Sequence, residues 1–159
     1  MLILENTFAN PAAVSQSGYE APSRFLILGM GESGFAMAKW CLRNGAMVRL
    51  ADTRERANLS ERQLAWLAEL EFAGLKDARF GPLSDELLSD IDVIGISPGL
   101  SPLQEPTESF LVKARKARVD VWSEIEFFAR AIAAMERIAL ENQSTYSTSV
   151  LAITGTNGK

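Results

Sequence analysis

The sequence has no histidine and one cysteine, Cys41. The first absence removes histidine triads, histidine metal sites and imidazole acid–base chemistry. The second rules out an internal disulfide and suits a reducing, cytoplasmic setting. No apolar run approaches the ~20 residues a membrane span needs, so no membrane insertion is expected. The opening stretch "MLILENTFANPAAVSQSG" has no basic start and is a poor signal peptide. There is no basic stripe either. With 16 basic against 20 acidic residues the net charge is −4, and nothing in that balance asks for nucleic acid.

What is present is ordinary for a globular chain: 159 residues, 47% apolar and 23% charged, enough for one domain with a real core. Residues 1–22, with Asn10-Pro11, Ser17-Gly18 and Pro22, read as a lead-in segment. A rhythm then begins. "RFLILG" (24–29), "AMVRLAD" (46–52), "ARFGP" (78–82), "IDVIGISPG" (91–99) and "VDVW" (119–122) read as buried strands. Helical patterns lie between and after them, over 33–45, 60–74, 107–119 and 123–140. Ser60-x-x-Gln63 and Ser123-x-x-Glu126 have capping-box spacing, and Asn44-Gly45 is a C-terminal stop. In the last helix Ile125, Phe128, Ile132, Met135 and Ala139 line up at helical spacing. Residues 141–149 are polar and read as a linker, and "VLAIT" (150–154) reads as a sixth strand.

Strands alternating with helices specify an α/β fold: a Rossmann-like parallel sheet of about five strands with helices on both faces. Residues 23–140 form that domain. Right-handed crossovers bring the loops at 29–34, 52–54 and 97–99 to one edge of the sheet, where ligands bind in such folds.

Gly29-Met30-Gly31-Glu32-Ser33-Gly34 is a G-x-G-x-x-G between a strand and a helix. Its glycines permit a tight turn, close approach of a pyrophosphate, and close helix–strand packing. Asp52 ends the next strand, 23 residues after Gly29, a spacing that suits a carboxylate accepting hydrogen bonds from a ribose or base. The alternative is a tight turn that binds nothing. The pattern does not separate a nicotinamide cofactor from another pyrophosphate-bearing nucleotide, so an NAD-binding oxidoreductase domain stays open. Arg54 is either a phosphate or base contact or an exposed loop arginine. Ser97-Pro98-Gly99 is a rigid stop with room beside it for a ligand, and taken alone is an ordinary strand end.

The terminal Thr154-Gly155-Thr156-Asn157-Gly158-Lys159 lacks the first glycine of the strict phosphate loop, since Ile153 stands there. The rest serves the same physics. Backbone N–H groups meet phosphate oxygens, and Lys159 offers a point charge to the β- and γ-phosphates. Glu124 and Glu126 do not face one another on a helix, and no chemistry is expected of them. Cys41 and the tryptophans at 40, 66 and 122 are expected in or beside the core.

"LGMGESGFAMAKW", "ADTR", "SPG", "VWSEIEFFA" and "VLAITGTNGK", in that order, resemble the bacterial Mur ligases over roughly residues 24–159, and within them the group that adds D-glutamate. The resemblance implies a three-domain, monomeric, cytoplasmic enzyme of peptidoglycan precursor synthesis. It would be an ATP-dependent acid–D-amino-acid ligase whose partners are UDP-N-acetylmuramoyl-L-alanine, D-glutamate and ATP. The alanine carboxylate would be activated as an acyl phosphate and attacked by the amine of D-glutamate. Residues 1 to about 145 would be the UDP-substrate domain and 150–159 the first strand and loop of the ATPase domain. UDP contacts would fall on Gly31, Glu32, Ser33, Asp52, Thr53, Arg54, Ser97, Pro98 and Gly99. ATP phosphates would fall on Gly155, Thr156, Asn157, Gly158 and Lys159, with Lys159 also catalytic. Mg²⁺ would be a cofactor with no ligand in this chain. Glu32 departs from the pattern, since a carboxylate beside the diphosphate costs affinity unless it points away. The chain alone is expected to bind UDP-sugar weakly, if at all, and to catalyse nothing.

Overall fold

Phe25, Leu26, Ile27 and Leu28 are all buried, because the strand they form lies in the middle of the sheet and is covered on both faces. The structure, a computed structural model, describes residues 24–151. Among the described residues there are five strands: β1 (Arg24–Leu28), β2 (Met47–Asp52), β3 (Asp77–Phe80), β4 (Val93–Ile96) and β5 (Asp120–Ser123). All pair in parallel, in the order β3-β2-β1-β4-β5. The helices are α1 (Glu32–Arg43), α2 (Glu61–Phe72), α3 (Thr107–Lys116) and α4 (Glu124–Glu141), with short 3₁₀ turns at Arg56–Asn58 and Asp85–Leu88. This is the Rossmann-like architecture expected from the alternation of strands and helices.

Alternation along β1 sends Phe25 and Ile27 to one face and Leu26 and Leu28 to the other. The first pair joins a core built from α1, α2 and α4, with Met37, Cys41, Leu67, Leu70 and Phe127. The second pair meets Phe110, Leu111 and Ala114 of α3 and Leu87 of the second 3₁₀ turn. Cys41 is fully buried, and burial pushes its thiol pKa up.

Helix ends follow local chemistry. Ser60 and Gln63 form both halves of the capping box on α2. At α4 only half of the expected box is present. Ser123 Oγ accepts from the Glu126 N–H at 3.3 Å, but the Glu126 carboxylate turns to Arg130 Nε at 2.8 Å, one helical turn on. The buried face of α4 also differs from the expected stripe. Phe127 is buried at 6% exposure, whereas Ile125 and Phe128 are 72% and 53% exposed. The cause is a hole in the sheet. Gly95 has no side chain, and the Phe127 ring lies over it, 3.0 Å from where a Cβ would stand. There the ring contacts Phe25, Trp40 and Trp122, with centroids 5.3 to 5.8 Å apart. One residue on a helix turns the face by about 100°, so burying Phe127 swings Phe128 outward.

The helix ends at Glu141, and residues 144–151 carry no regular structure. Val150 and Leu151 are exposed and outside any strand. The rest of the expected sixth strand, the loop Gly155–Lys159 and the lead-in at 1–22 lie outside the described residues.

Candidate functional site

Register brings three loops to one edge. Leu28 pairs with Ala51 on one side and Ile96 on the other, so β1, β2 and β4 end level. Two further bonds extend the ladder past the strands: Gly29 N–H to the Ala51 carbonyl at 2.7 Å, and Ser97 N–H to the Leu28 carbonyl at 3.0 Å. The chain order reverses here, since β2 lies on one side of β1 and β4 on the other. Crevices at such a reversal are where open α/β sheets take ligands.

The glycine loop is shaped by two of its glycines. Gly29 has φ +94°, and a Cβ on it would stand 3.0 Å from Ser97 Cβ. Gly34 lies so close beneath the loop that a Cβ would fall 1.8 Å from the Gly29 carbonyl oxygen. Gly31 is the N-cap of α1, in extended conformation with no side-chain cap. The helix therefore opens onto the edge with its first N–H groups uncapped by any side chain, the arrangement that suits an anion. A Cβ on Gly31 would be 3.4 Å from Ser97 Oγ, so the first and third loops touch.

Asp52 is the electrostatic centre of the edge. Its side chain is 4% exposed. Oδ2 accepts from the Met30 N–H at 2.6 Å and from Arg54 Nη2 at 2.7 Å. Oδ1 accepts from the Arg54 N–H at 2.9 Å and Arg54 Nε at 2.8 Å. Burial raises the carboxyl pKa, but the Arg54 hydrogen bond, the Met30 and Arg54 N–H groups and the Arg54 charge outweigh it, so the net shift is down. Arg54 is raised in turn, chiefly by its hydrogen bond to Asp52. These four donors fill the four lone-pair positions of the carboxylate. In this arrangement Asp52 serves as a brace that ties the β2 loop to the glycine loop.

Gln63 completes the brace. Its Nε2 donates to the Met30 carbonyl at 2.6 Å, and its Oε1 accepts from Arg54 Nη1 at 3.2 Å and from the Ser60 N–H at 3.1 Å. The capping box of α2 thus has a second use, legible in the sequence only as a cap.

Each residue expected at the UDP end has a place. Gly31, Thr53, Arg54, Ser97, Pro98 and Gly99 lie on the three loops at the common edge, with Ser33 in the first turn of α1 and Asp52 at the end of β2. Ser97 is buried, while Arg54, Pro98 and Gly99 are exposed. A Cβ on Gly99 would meet nothing within 4 Å, so the edge is open there. Glu32 opens α1 at the same edge, but its side chain is 80% exposed and reaches Arg62 at 3.6 Å. Glu124, from which no chemistry was expected, accepts at Oε2 from Ser33 Oγ at 2.5 Å. Nothing in its spacing marks it, because α4 is brought beside the glycine loop by tertiary packing alone. Among the described residues no group of three or more His, Cys, Asp or Glu stands ready for a metal, and no helix is long and apolar enough to cross a membrane.

Sheet order, crossing point and glycine-loop geometry together define a Rossmann-like α/β domain. A family model described as the N-terminal domain of MurD-like Mur ligases matches residues 23–123, and the chain belongs to that family. It is 52% identical over 135 residues to the UDP-N-acetylmuramoylalanine--D-glutamate ligase of Cupriavidus pinatubonensis, covering 84% of this chain and 24% of the relative. To the ligase of the same name from Ralstonia nicotianae it is 49% identical, over 84% of this chain and 25% of the relative. The chain therefore spans about a quarter of the length of the curated relatives it matches. The solved structure of AtPrR2 in apo form is similar over 71% of this chain and 45% of that one, at 20% identity with a TM-score of 0.49, and adds nothing to the assignment.

Proposed function

We propose that this chain is the sugar-nucleotide-binding part of an ATP-dependent ligase that joins D-glutamate to UDP-N-acetylmuramoyl-L-alanine in peptidoglycan precursor synthesis. The observation that carries the reading is the convergence of the three loops at one sheet edge, within the stretch matched by the MurD-like N-terminal domain. The curated relatives' names supply the substrates and the reaction.

In this reading the diphosphate lies over the N-terminus of α1, met by the N–H groups of Gly31, Glu32 and Ser33. Only the backbone of Glu32 takes part, because its carboxylate is drawn to Arg62. Arg54, held in place by Asp52, presents the outer face of its guanidinium to the nucleoside together with Thr53. Gly99, with Ser97 and Pro98, leaves room for the ligand on the far side. Anchoring at the UDP end is remote from the reacting carboxylate, and such binding energy is spent on orientation there.

Activation by ATP gives the alanine carboxylate a phosphate leaving group, which the amine of D-glutamate displaces. Gly155, Thr156, Asn157, Gly158 and Lys159 are assigned to the ATP phosphates on sequence alone, with Lys159 as the neutralising charge. Mg²⁺ enters with ATP and takes no ligand from this chain. A cytoplasmic, monomeric enzyme goes with the reading.

The saturated Asp52 speaks against the rival oxidoreductase reading, in which that carboxylate would have to accept the hydroxyls of a ribose. NMR titration of the chain with UDP-N-acetylmuramoyl-L-alanine and, separately, with NADH tests the choice. The expected result is shifts of the Gly31, Ser33 and Gly99 amides with the UDP compound, at weak affinity, and none with NADH. Preferential binding of NADH overturns the proposal.

A further inference from the structure

Taking the loop at 29–34 as the diphosphate site, we propose that Glu124 is a positioning residue that competes with the diphosphate for the Ser33 hydroxyl. Ligand entry then releases α4 from the glycine loop.

The Ser33 hydroxyl carries a single proton. Ser33 Oγ donates it to Glu124 Oε2 at 2.5 Å, across 91 residues of chain. A hydroxyl has one O–H and two lone pairs, so while it is committed to Glu124 it offers an incoming phosphate oxygen only lone pairs. The carboxylate also sets a negative charge beside the first turn of α1, where the N–H groups favour an anion. Glu124 occupies the place of an anionic ligand's oxygen as seen from Ser33. It does not belong to the fixed brace around Asp52. Its own helix is capped by Ser123, which accepts from Glu126, so α4 begins in the same place with or without the Ser33 contact. The groups facing it differ from those facing Glu32: the Glu32 carboxylate is paired with Arg62, while Glu124 meets the neutral Ser33 hydroxyl. When a diphosphate arrives, the Ser33 O–H turns to a phosphate oxygen and Glu124 swings to solvent. The glycine loop and the start of α4 are then no longer tied. α4 is the element that leads to residues 142–151, so occupancy of the loop is felt at the start of the segment that leaves the domain.

UDP and uridine separate this role from a structural one, because only UDP carries the diphosphate. Calorimetric or NMR titrations of the 159-residue chain with each compound should be run on wild type, Glu124→Gln, Ser33→Ala and the double variant. The expected result is that Glu124→Gln tightens UDP binding by roughly three- to tenfold, since a neutral amide competes less well for the hydroxyl than a carboxylate. Uridine affinity should stay within about twofold, and the gain should shrink to less than half in the Ser33→Ala background. Unchanged or weaker UDP binding in Glu124→Gln overturns the proposal. So does an equal change for uridine, or a gain that survives intact without the Ser33 hydroxyl. Those three outcomes leave the diphosphate reading of the loop standing. Absence of UDP binding by wild type, with NADH bound instead, overturns both.

Discussion

The Asp52 carboxylate grips the Arg54 guanidinium through Nε at 2.8 Å and Nη2 at 2.7 Å, and the same carboxylate holds the Met30 N–H at 2.6 Å. Two residues apart in sequence, the pair fixes the loop after β2 against the loop after β1. Asp52→Asn keeps the shape, replaces one acceptor by an amide NH₂, and sets that group against the Met30 N–H or the arginine. The expected loss is about 2 kcal/mol, the range for hydrogen bonds to a charged group. Urea unfolding of the variant against wild type measures it.

Acid should act through the same carboxylate. Its pKa is lowered in the folded chain, so the unfolded chain binds more protons as pH falls past the ordinary carboxylate value of about 3.9. The stability it contributes is complete above that value and is lost as pH falls through the lower folded one. Asp77 adds in the same direction, since Arg49 and Arg79 outweigh the burial that raises it. Urea midpoints should therefore drop below about pH 4, less steeply in Asp52→Asn.

Two glycines on the site edge should respond in opposite ways. A Cβ on Gly34 falls 1.8 Å from a backbone oxygen, so Gly34→Ala must move the loop or the helix, at about 3 kcal/mol or more. Gly99 has open space and no positive φ, so Gly99→Ala should stay within about 0.5 kcal/mol of wild type. If the ligand packs where Gly99 leaves room, that variant loses UDP affinity while keeping its urea midpoint.

Adjacent phenylalanines on α4 offer a sharper contrast. Phe127→Ala removes the ring shared by Phe25, Trp40 and Trp122 and should cost about 3–5 kcal/mol. Phe128 is half-exposed, and Phe128→Ala should cost about 1 kcal/mol or less. Equal costs would show that the helix is turned differently from the face described above.

Cys41 has no exposed surface, and burial raises its thiol pKa. A thiol reagent at neutral pH should leave it untouched in the native chain and label it in denaturant, at a rate that follows unfolding.

The parallel sheet was legible because its strands are short apolar runs broken by glycine and proline, with capped helices between them. Phe25 to Leu28 reads as a doubly covered strand, and the structure places it at the centre. The gathering of the three loops followed from topology alone. Their internal chemistry did not. That Asp52 is spent on Arg54 and Met30 depends on side-chain directions in a turn, which spacing leaves open. The helical period of α4 was visible, but Phe127 and Phe128 are equally apolar, and the choice between them is made by the hole above Gly95 on a different strand. Glu124 is unmarked in the sequence for the same reason: its partner Ser33 lies 91 residues away.

The middle position of β1 bears on how the chain is born. A ribosome releases the N-terminal end first, at about 5–20 residues per second. β1 can dock on β2 after little more than a helix has emerged, and β3 can follow. The opposite flank of β1 is left uncovered until Val93–Ile96 has been made, because among the described residues no earlier strand pairs there. For those seconds Leu26 and Leu28 lack the α3 cover that later hides them, and a nascent half-sheet of this kind is where a chaperone would find its grip.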